Sequence, residues 1–235
     1  MPARIPALAI TGAVLALALP SAASAGTLTV SQACYVHVPP PFGHSESQPI
    51  NVAVTGGTAG DDFQVVAGDS GQFGSATGTF DSAGNGAAQL TGVFPPSGSI
   101  NPLSGDAIPL HVVDFTSGGQ VTIATGQTLM TNLAIQVAAK PSNPYRKRVI
   151  RVSGLTPLAG PGPLYASFAS GYHGTKIIKR IKLGTPNACG YLRAKKVLPP
   201  RHGVHKWVMY VHVGKSFSKS RPYVPFAFRV FRTFL

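Results

Sequence analysis

Acidic side chains are scarce in this sequence and end early. Only seven of the 235 residues are Asp or Glu, and none of them lies after Asp114. Residues 141–235 carry eighteen Lys and Arg without one acid, whereas residues 26–140 hold all seven acids and a single base, Lys140. A catalytic or metal site that needs carboxylates is therefore excluded from residues 141–235 alone. The asymmetry also predicts two domains of opposite charge and an anionic partner for the basic one.

Long hydrophobic runs are missing after the N-terminal segment. Arg4 precedes an apolar run over residues 5–19, and the small residues Ala23-Ser24-Ala25 stand before Gly26. This order predicts a secretory signal peptide over residues 1–25 and an exported protein that begins at or near Gly26. The alternative is a membrane anchor, but the apolar run is shorter than the ~20 residues that a bilayer span needs. No transmembrane span is predicted.

The pattern of a long amphipathic helix is also missing, and period-two alternation takes its place. Such alternation places one set of side chains on one face of a sheet. Clusters of Gly, Pro, Asn and Asp separate the runs and predict turns. The predicted fold is all-β, with two immunoglobulin-like β-sandwich domains at residues 26–140 (acidic) and 141–235 (basic). The boundary is placed at Pro141 and Pro144, where two prolines prevent a sheet from continuing.

Two runs of the second part differ in regularity. Trp207, Met209, Val211 and Val213 predict an inward set, with Tyr210 and His212 on the opposite face. The run over residues 176–183 is less regular, because Lys179 shares the parity of Ile177, Ile181 and Leu183. Either a β-bulge redirects this strand, or Lys179 lies at a sheet edge.

Cysteine is nearly absent, with one residue in each predicted domain. In an exported protein, two cysteines are often paired, so a Cys34–Cys189 disulfide is expected. It would join the two predicted domains. The alternative is two separate buried or reactive thiols.

The sequence around Cys189 also carries a resemblance. The segments VIRVSGLTP, GPLYASFAS, KRIKLGTPNACGYLRAKKVLPP and HKWVMYVHV follow one another, with a Leu-Gly-x4-Cys-Gly pattern from Leu183 to Gly190. This order resembles secreted two-module immunoglobulin-like β-sandwich proteins of actinobacteria. The resemblance implies an extracellular location and a β-sandwich fold, and it implies no particular activity.

Two short motifs suggest catalysis or metal binding, and each has a simpler reading. Gly68-Asp69-Ser70-Gly71 matches the residues around the nucleophile of trypsin-like proteases, but too few residues precede it for that fold, so a turn is expected. The spacing His202-x-x-His205, with His212 nearby, suggests a metal site. No carboxylate is available to complete it, so neither a metal nor a cofactor is predicted.

The strongest feature is the cluster of positive charge between residues 172 and 196. The residues expected to bind a partner are Lys179, Arg180, Lys182, Arg193, Lys195 and Lys196. If their two strands pair, the side chains converge on one patch that attracts wall teichoic acids, acidic glycans, anionic lipid headgroups or nucleic acid. Nucleic acid is not favoured, because no single-strand binding motif is present. The alternative is a solvated surface that the acidic domain partly neutralises.

These observations predict a secreted, non-enzymatic binding or structural protein of the cell envelope, either extracellular or attached to the cell surface. Its basic second domain would contact an anionic polymer. The alternative is an extracellular enzyme with an unrecognised active site. A cleft in which His and acid side chains converge would favour the enzyme, and a basic sheet face would favour binding.

Overall fold

The chain folds as an all-β protein with several sheets. The computed structural model describes residues 26–40, 42–95, 105–138, 146–171, 176–198 and 205–230. Among the residues of the first half are nine strands: β1 (Thr27–Val30), β2 (Cys34–Val38), β3 (Glu46–Ser47), β4 (Ile50–Thr55), β5 (Asp62–Ala67), β6 (Gly74–Thr79), β7 (Gly86–Leu90), β8 (Asp106–Thr116) and β9 (Gly119–Asn132). Next come β10 (Ala134–Val137), β11 (Arg148–Ser153), α1 (Leu155–Ala159), β12 (Leu164–Ser170), β13 (Ile177–Gly184), β14 (Leu192–Lys196), β15 (His205–Val213) and β16 (Tyr223–Val230).

The first nine strands form two sheets around one core. Their orders are β1-β4-β7 and β3-β2-β9-β8-β5-β6, and β2 runs parallel to β9. The predicted alternation holds in β4, where Ile50, Val52 and Val54 are buried while the residues between them are exposed. Phe63 stacks on Phe80 in the same core, with ring centroids 4.5 Å apart. Burial of alternate apolar side chains therefore builds this half.

The remaining strands form a second pair of sheets. Their orders are β10-β11-β14 and β13-β12-β15-β16, all antiparallel. Ile150 and Val152 of the three-stranded sheet pack in one cluster with Phe168, Trp207 and Met209 of the four-stranded sheet. The inward set predicted for β15 is confirmed. Trp207, Met209 and Val211 belong to this core, and Val213 packs against it.

The same connectivity occurs twice in the chain. The sheet β1-β4-β7 corresponds in strand order to β10-β11-β14, and the run β6-β5-β8-β9 corresponds to β13-β12-β15-β16. A pair of antiparallel sheets with about seven strands in total resembles an immunoglobulin-like sandwich.

The second pair of sheets begins before the predicted boundary at residue 141. Strand β10 precedes that residue but hydrogen-bonds to β11, so this pair of sheets begins at Ala134. The predicted signal peptide and the prolines of the predicted boundary lie outside the described residues.

The two pairs of sheets meet at a tight junction. Val36 and Leu133, which belong to the first part of the chain, lie in the core of the second pair of sheets. Gly154 has a φ of 84°, and an added Cβ there would lie 2.8 Å from the Leu133 Cα and from the Val36 Cγ2. Only glycine fits this close approach without strain.

The predicted disulfide is confirmed and lies at this junction. Cys34 and Cys189 are bonded, with their Cα atoms 5.2 Å apart and a sequence separation of 155. Both are buried, at 2% and 1% exposed. The carbonyl of Cys189 accepts a hydrogen bond of 2.8 Å from the amide of Gly154. The bridge therefore ties β2 to the connection between β13 and β14.

Among the residues that the structure describes, no helix combines the length and the apolar character that crossing a bilayer requires.

Removal of the bridge should lower the free energy of unfolding substantially. For a closed loop of this length, the chain-entropy model gives a loss of about 5 kcal/mol. The double variant C34A/C189A should therefore unfold at much lower denaturant concentration than the parent chain. Reduction of the unmodified chain should produce the same loss. An unchanged unfolding midpoint after complete reduction, checked by thiol titration, would contradict this account.

Candidate functional site

The six predicted binding residues lie on two edge strands. Lys179, Arg180 and Lys182 belong to β13, and the other three, Arg193, Lys195 and Lys196, to β14. These strands do not pair with each other: β13 pairs with β12, and β14 pairs with β11. Each is the outermost strand of its own sheet, and the two contact each other across the gap between the sheets. The charges are therefore distributed around one open side of the sandwich.

The irregular parity of Lys179 is explained by both predicted causes. Strand β13 is an edge strand, and its register against β12 shifts between Phe168 and Ala169, which leaves Ile178 outside the pairing. Lys179 pairs with Phe168, which is fully buried, yet Lys179 itself is exposed. A cation at the rim of the core face is one way in which proteins prevent an edge strand from pairing with another chain.

The three-stranded sheet places like charges directly opposite one another. Arg151 of β11 pairs with Arg193 of β14, and Arg148 pairs with Lys196. Like charges in such positions destabilise a sheet. Arg151 Nη1 donates a 2.9 Å hydrogen bond to Gln136 Oε1, which fixes the guanidinium but does not neutralise it.

The patch predicted from the sequence did not include Arg151. Its position between Ile150 and Val152 shows that it faces outward, but only the pairing of β11 with β14 brings it to Arg193. We use the term basic belt for these six cations and Arg151 together: Arg151, Lys179, Arg180, Lys182, Arg193, Lys195 and Lys196.

No carboxylate in the described parts of the chain forms an ion pair with the basic belt. Several acids of the first half are instead engaged locally. Asp62 accepts a hydrogen bond from Thr79, Asp114 accepts one from the amide of Thr58, and Asp81 accepts bonds from the amides of its own turn. All of these contacts lie within the first half, so these three acids do not serve as counter-charges for the belt.

A buried polar network anchors one member of the belt. Ser167 Oγ lies 2.8 Å from His212 Nε2, and Arg180 Nε donates a 3.3 Å hydrogen bond to Ser167 Oγ. Ser167 is fully buried and His212 is 2% exposed, whereas Arg180 is exposed. The network thus runs from the interior to the outer surface of the four-stranded sheet.

Burial favours the neutral form of His212. Desolvation lowers the pKa of His212, and the nearby Arg180 charge lowers it further, while the backbone of Val213 and Gly214 opposes these effects. His212 lies opposite the inward set of β15, as predicted, but it is not solvated. Phe217 covers it, with ring centroids 5.2 Å apart, and stacks on Tyr210 at 4.6 Å. The loop between β15 and β16 therefore builds a small second core on this face.

The Ser167–His212 pair has the residue types of a nucleophile and its base, but the geometry opposes that role. A nucleophile must reach its substrate, and Ser167 is fully buried beneath Arg180. The pair also lacks the carboxylate that orients the histidine in a serine hydrolase. The pair instead holds the side chain of Arg180 in place through a hydrogen bond.

Residues 68–71 form a turn, as predicted, in which Ser70 Oγ contacts Gln72 Oε1. Among the described residues, no group of three or more His, Cys, Asp or Glu could hold a metal ion. His202 lies outside the described residues.

One open cleft of about 370 Å³ lies at the junction of the two halves. Of the lining residues that the structure describes, none is His, Asp or Glu, and Arg221 is the one that is charged. The lining residues are Val38, Phe42, Leu133, Leu158, Arg221, Pro222, Tyr223 and Pro225. The cleft therefore lacks the converging acid and base groups that would favour an enzyme.

Comparisons with known proteins give distant similarity only. No family model matches the chain, and no curated protein matches it. Solved structures that match include a tetra-tandem repeat in the extending region of a large adhesion protein, at 13% identity and a TM-score of 0.25, covering 88% of this chain and 49% of that one. Red sea bream transglutaminase matches at 16% identity and a TM-score of 0.26, covering 86% of this chain and 31% of the enzyme. The chain thus spans about half and about a third of these two structures.

Stability should fall as the pH drops through the range in which histidine titrates. Because burial lowers the pKa of His212, the folded state favours its neutral form, and the unfolded chain binds the proton more readily. The contribution is complete above about pH 6.5 and is lost as the pH falls toward the lowered folded pKa. The pKa of His37 is lowered by burial too, with the same sign.

Unfolding free energies measured at pH 8 and pH 5 test this point. The parent chain should lose more stability between these values than H212Q, which keeps an amide near Ser167 but does not titrate. An equal loss in both proteins would show that His212 is not kept neutral by the fold.

Reversal of one charge in the three-stranded sheet should stabilise it. R193E places a carboxylate directly opposite Arg151, so a repulsive cross-strand pair becomes attractive. The expected gain in unfolding free energy is about 0.2–1 kcal/mol, and it should shrink as salt is added. K195E is the matched control, because Lys195 lies opposite the uncharged Val149. A gain from K195E as large as that from R193E would contradict the specific repulsion.

Proposed function

We propose that this chain is an exported, non-catalytic binding protein of the cell envelope, built of two immunoglobulin-like β-sandwich modules. The second module would bind an anionic polymer through the basic belt. The observation that carries the proposal is the cross-strand pair of Arg151 and Arg193, which face each other without a carboxylate between them. An external anion that meets both guanidinium groups would remove a cost that the folded chain otherwise bears.

The shape of the belt favours an extended ligand. Arg151, Arg193 and Lys195 have outward parity on the three-stranded sheet, because their neighbours Ile150 and Ala194 are buried. Arg180 and Lys182 belong to the four-stranded sheet behind it. A ligand that contacts both groups must pass around the open side of the sandwich, and a polymer with repeated negative charges can do so.

The remaining features are consistent with an exported binding protein. A buried disulfide is typical of oxidising compartments outside the cytoplasm. The repeated strand order supports two modules of one type. The resemblance to secreted two-module proteins of actinobacteria points the same way. Nucleic acid is not favoured as a ligand, because the strands of the belt carry no row of exposed aromatic side chains on which bases could stack.

Binding to polyanions should depend on the belt and on salt. The full exported chain is titrated with polygalacturonate and with polyphosphate at low ionic strength and again at high salt. Affinity should fall steeply as salt is added, since charges at exposed positions are screened over ~8–10 Å at physiological ionic strength. The triple variant R193E/K195E/K196E should lose this binding while its thermal unfolding stays cooperative.

A control with the same charge change separates the belt from net charge. K215E/K219E/R221E reverses three exposed cations in the loop between β15 and β16, and it should retain most of the affinity. If the belt triple variant loosens the packing of the two halves instead and no polymer binds the parent chain at low salt, the acidic half is the partner and the proposal is wrong.

A further inference from the structure

Arg180 differs from the other cations of the belt, because buried side chains fix its orientation, whereas the hydrogen bond of Arg151 to Gln136 is exposed. Its Nε donates to Ser167 Oγ at 3.3 Å, and Ser167 in turn contacts His212 Nε2 at 2.8 Å. With Nε engaged, the two Nη groups remain to face solvent. A guanidinium held in this way presents a rigid fork of donors that matches a planar anion.

The side chains that fix Arg180 include no carboxylate, and they are costly to bury. Ser167 and His212 lie in the interior, and His212 Nδ1 is buried without a hydrogen-bond partner of good geometry. Buried polar groups without partners destabilise a fold. The anchor therefore orients the positive charge of Arg180 without neutralising it. This combination is expected of a binding group arranged in advance for an external anion.

An aromatic ring lies beside this fork on the same face of the sheet. Tyr165 pairs with Lys182 on one side and with His212 on the other, and Arg180 pairs with Ser167, two residues further along β12. Two residues of a strand span about 7 Å. The Tyr165 ring is half-buried and within 21° of parallel to the His212 ring, at 6.4 Å between centroids. The outer face thus offers a ring, a fixed arginine and a lysine within one short span.

We propose that this face is a binding subsite for an acidic polysaccharide whose carboxylates are carried on its sugar rings. Arg180 binds a carboxylate through its Nη groups, Tyr165 covers the apolar face of the sugar ring, and Lys182 meets a further negative charge. Ser167 and His212 are positioning residues that hold Arg180. The proposal rests on the proposed function and refines it, since it names the polymer class that the belt prefers.

The test compares three probes on the full exported chain at about physiological ionic strength, where the screening length is ~8 Å. Polygalacturonate carries charged rings, polyphosphate carries charge without rings, and dextran carries rings without charge. The parent chain should bind polygalacturonate more tightly than polyphosphate at equal charge, and it should not bind dextran. Y165L, which keeps an apolar side chain, should remove this preference by weakening polygalacturonate binding alone.

The anchored arginine is tested by a matched pair of conservative variants. R180K keeps the charge but loses the fork, and it should weaken polygalacturonate binding about tenfold, the effect of one charge-assisted hydrogen bond. R221K makes the same change outside the belt, in the loop between β15 and β16, where the arginine side chain has no hydrogen bond among the described residues, and it should change little.

The role of the anchor is tested by S167A, which should cost about as much affinity as R180K, while the double variant R180K/S167A costs no more than either. Thermal unfolding of each variant shows that the chain remains folded.

Each outcome separates this inference from the proposed function. If polyphosphate binds as tightly as polygalacturonate, and if Y165L and R180K change binding as little as R221K does, the belt binds by charge alone and the inference is wrong while the proposed function stands. If S167A and R180K lower affinity additively, Ser167 does not act through Arg180, and its role as a positioning residue is wrong. If no polyanion binds even at low salt, both proposals fall.

Discussion

The repulsion between Arg151 and Arg193 is the cost that the second pair of sheets must outweigh in order to stay folded. Two positive side chains face each other across neighbouring strands, and residues 141–235 contain no acid to separate them. The sheet holds because its inner face buries Ile150 and Val152 against the four-stranded sheet. Burial of such side chains contributes about 1.5–3 kcal/mol each, which exceeds the cost of a solvated like-charge pair. The fold thus tolerates the uncompensated charge because it lies on the outer face of the sheet and not in the core.

The same placement serves the free protein. Edge strands expose unpaired backbone groups, and lysines on them hinder pairing with other chains. Strands β13 and β14 carry six of the seven belt cations, whereas β6, which corresponds to β13 in the first half, has only Gly, Ala, Ser and Thr. Protection of an edge does not require an arginine anchored on a buried Ser–His pair, and this is why Arg180 points to a ligand rather than to protection alone.

Much of the fold could be predicted from the sequence, and the partners of each strand could not. Period-two alternation located the buried faces of β4 and β15, and the count of two cysteines gave the bridge between Cys34 and Cys189. Alternation does not tell which strands are neighbours. The two basic strands therefore separate into different sheets, and Arg151 joins the belt only through the pairing of β11. The burial of His212 depends on Phe217, which a loop places over the sheet, and no local sequence pattern predicts such a contact.

The central claim is that an anionic polymer occupies the basic belt, and a lysine-reactivity footprint tests it most directly. The full exported chain is acetylated lightly with and without polygalacturonate, and the modified sites are measured by mass spectrometry. The account predicts that Lys179, Lys182 and Lys195 become protected by the polymer, while Lys215 and Lys219, exposed in the loop between β15 and β16, react as before. Equal protection of all five lysines, or protection of the loop pair alone, would contradict it.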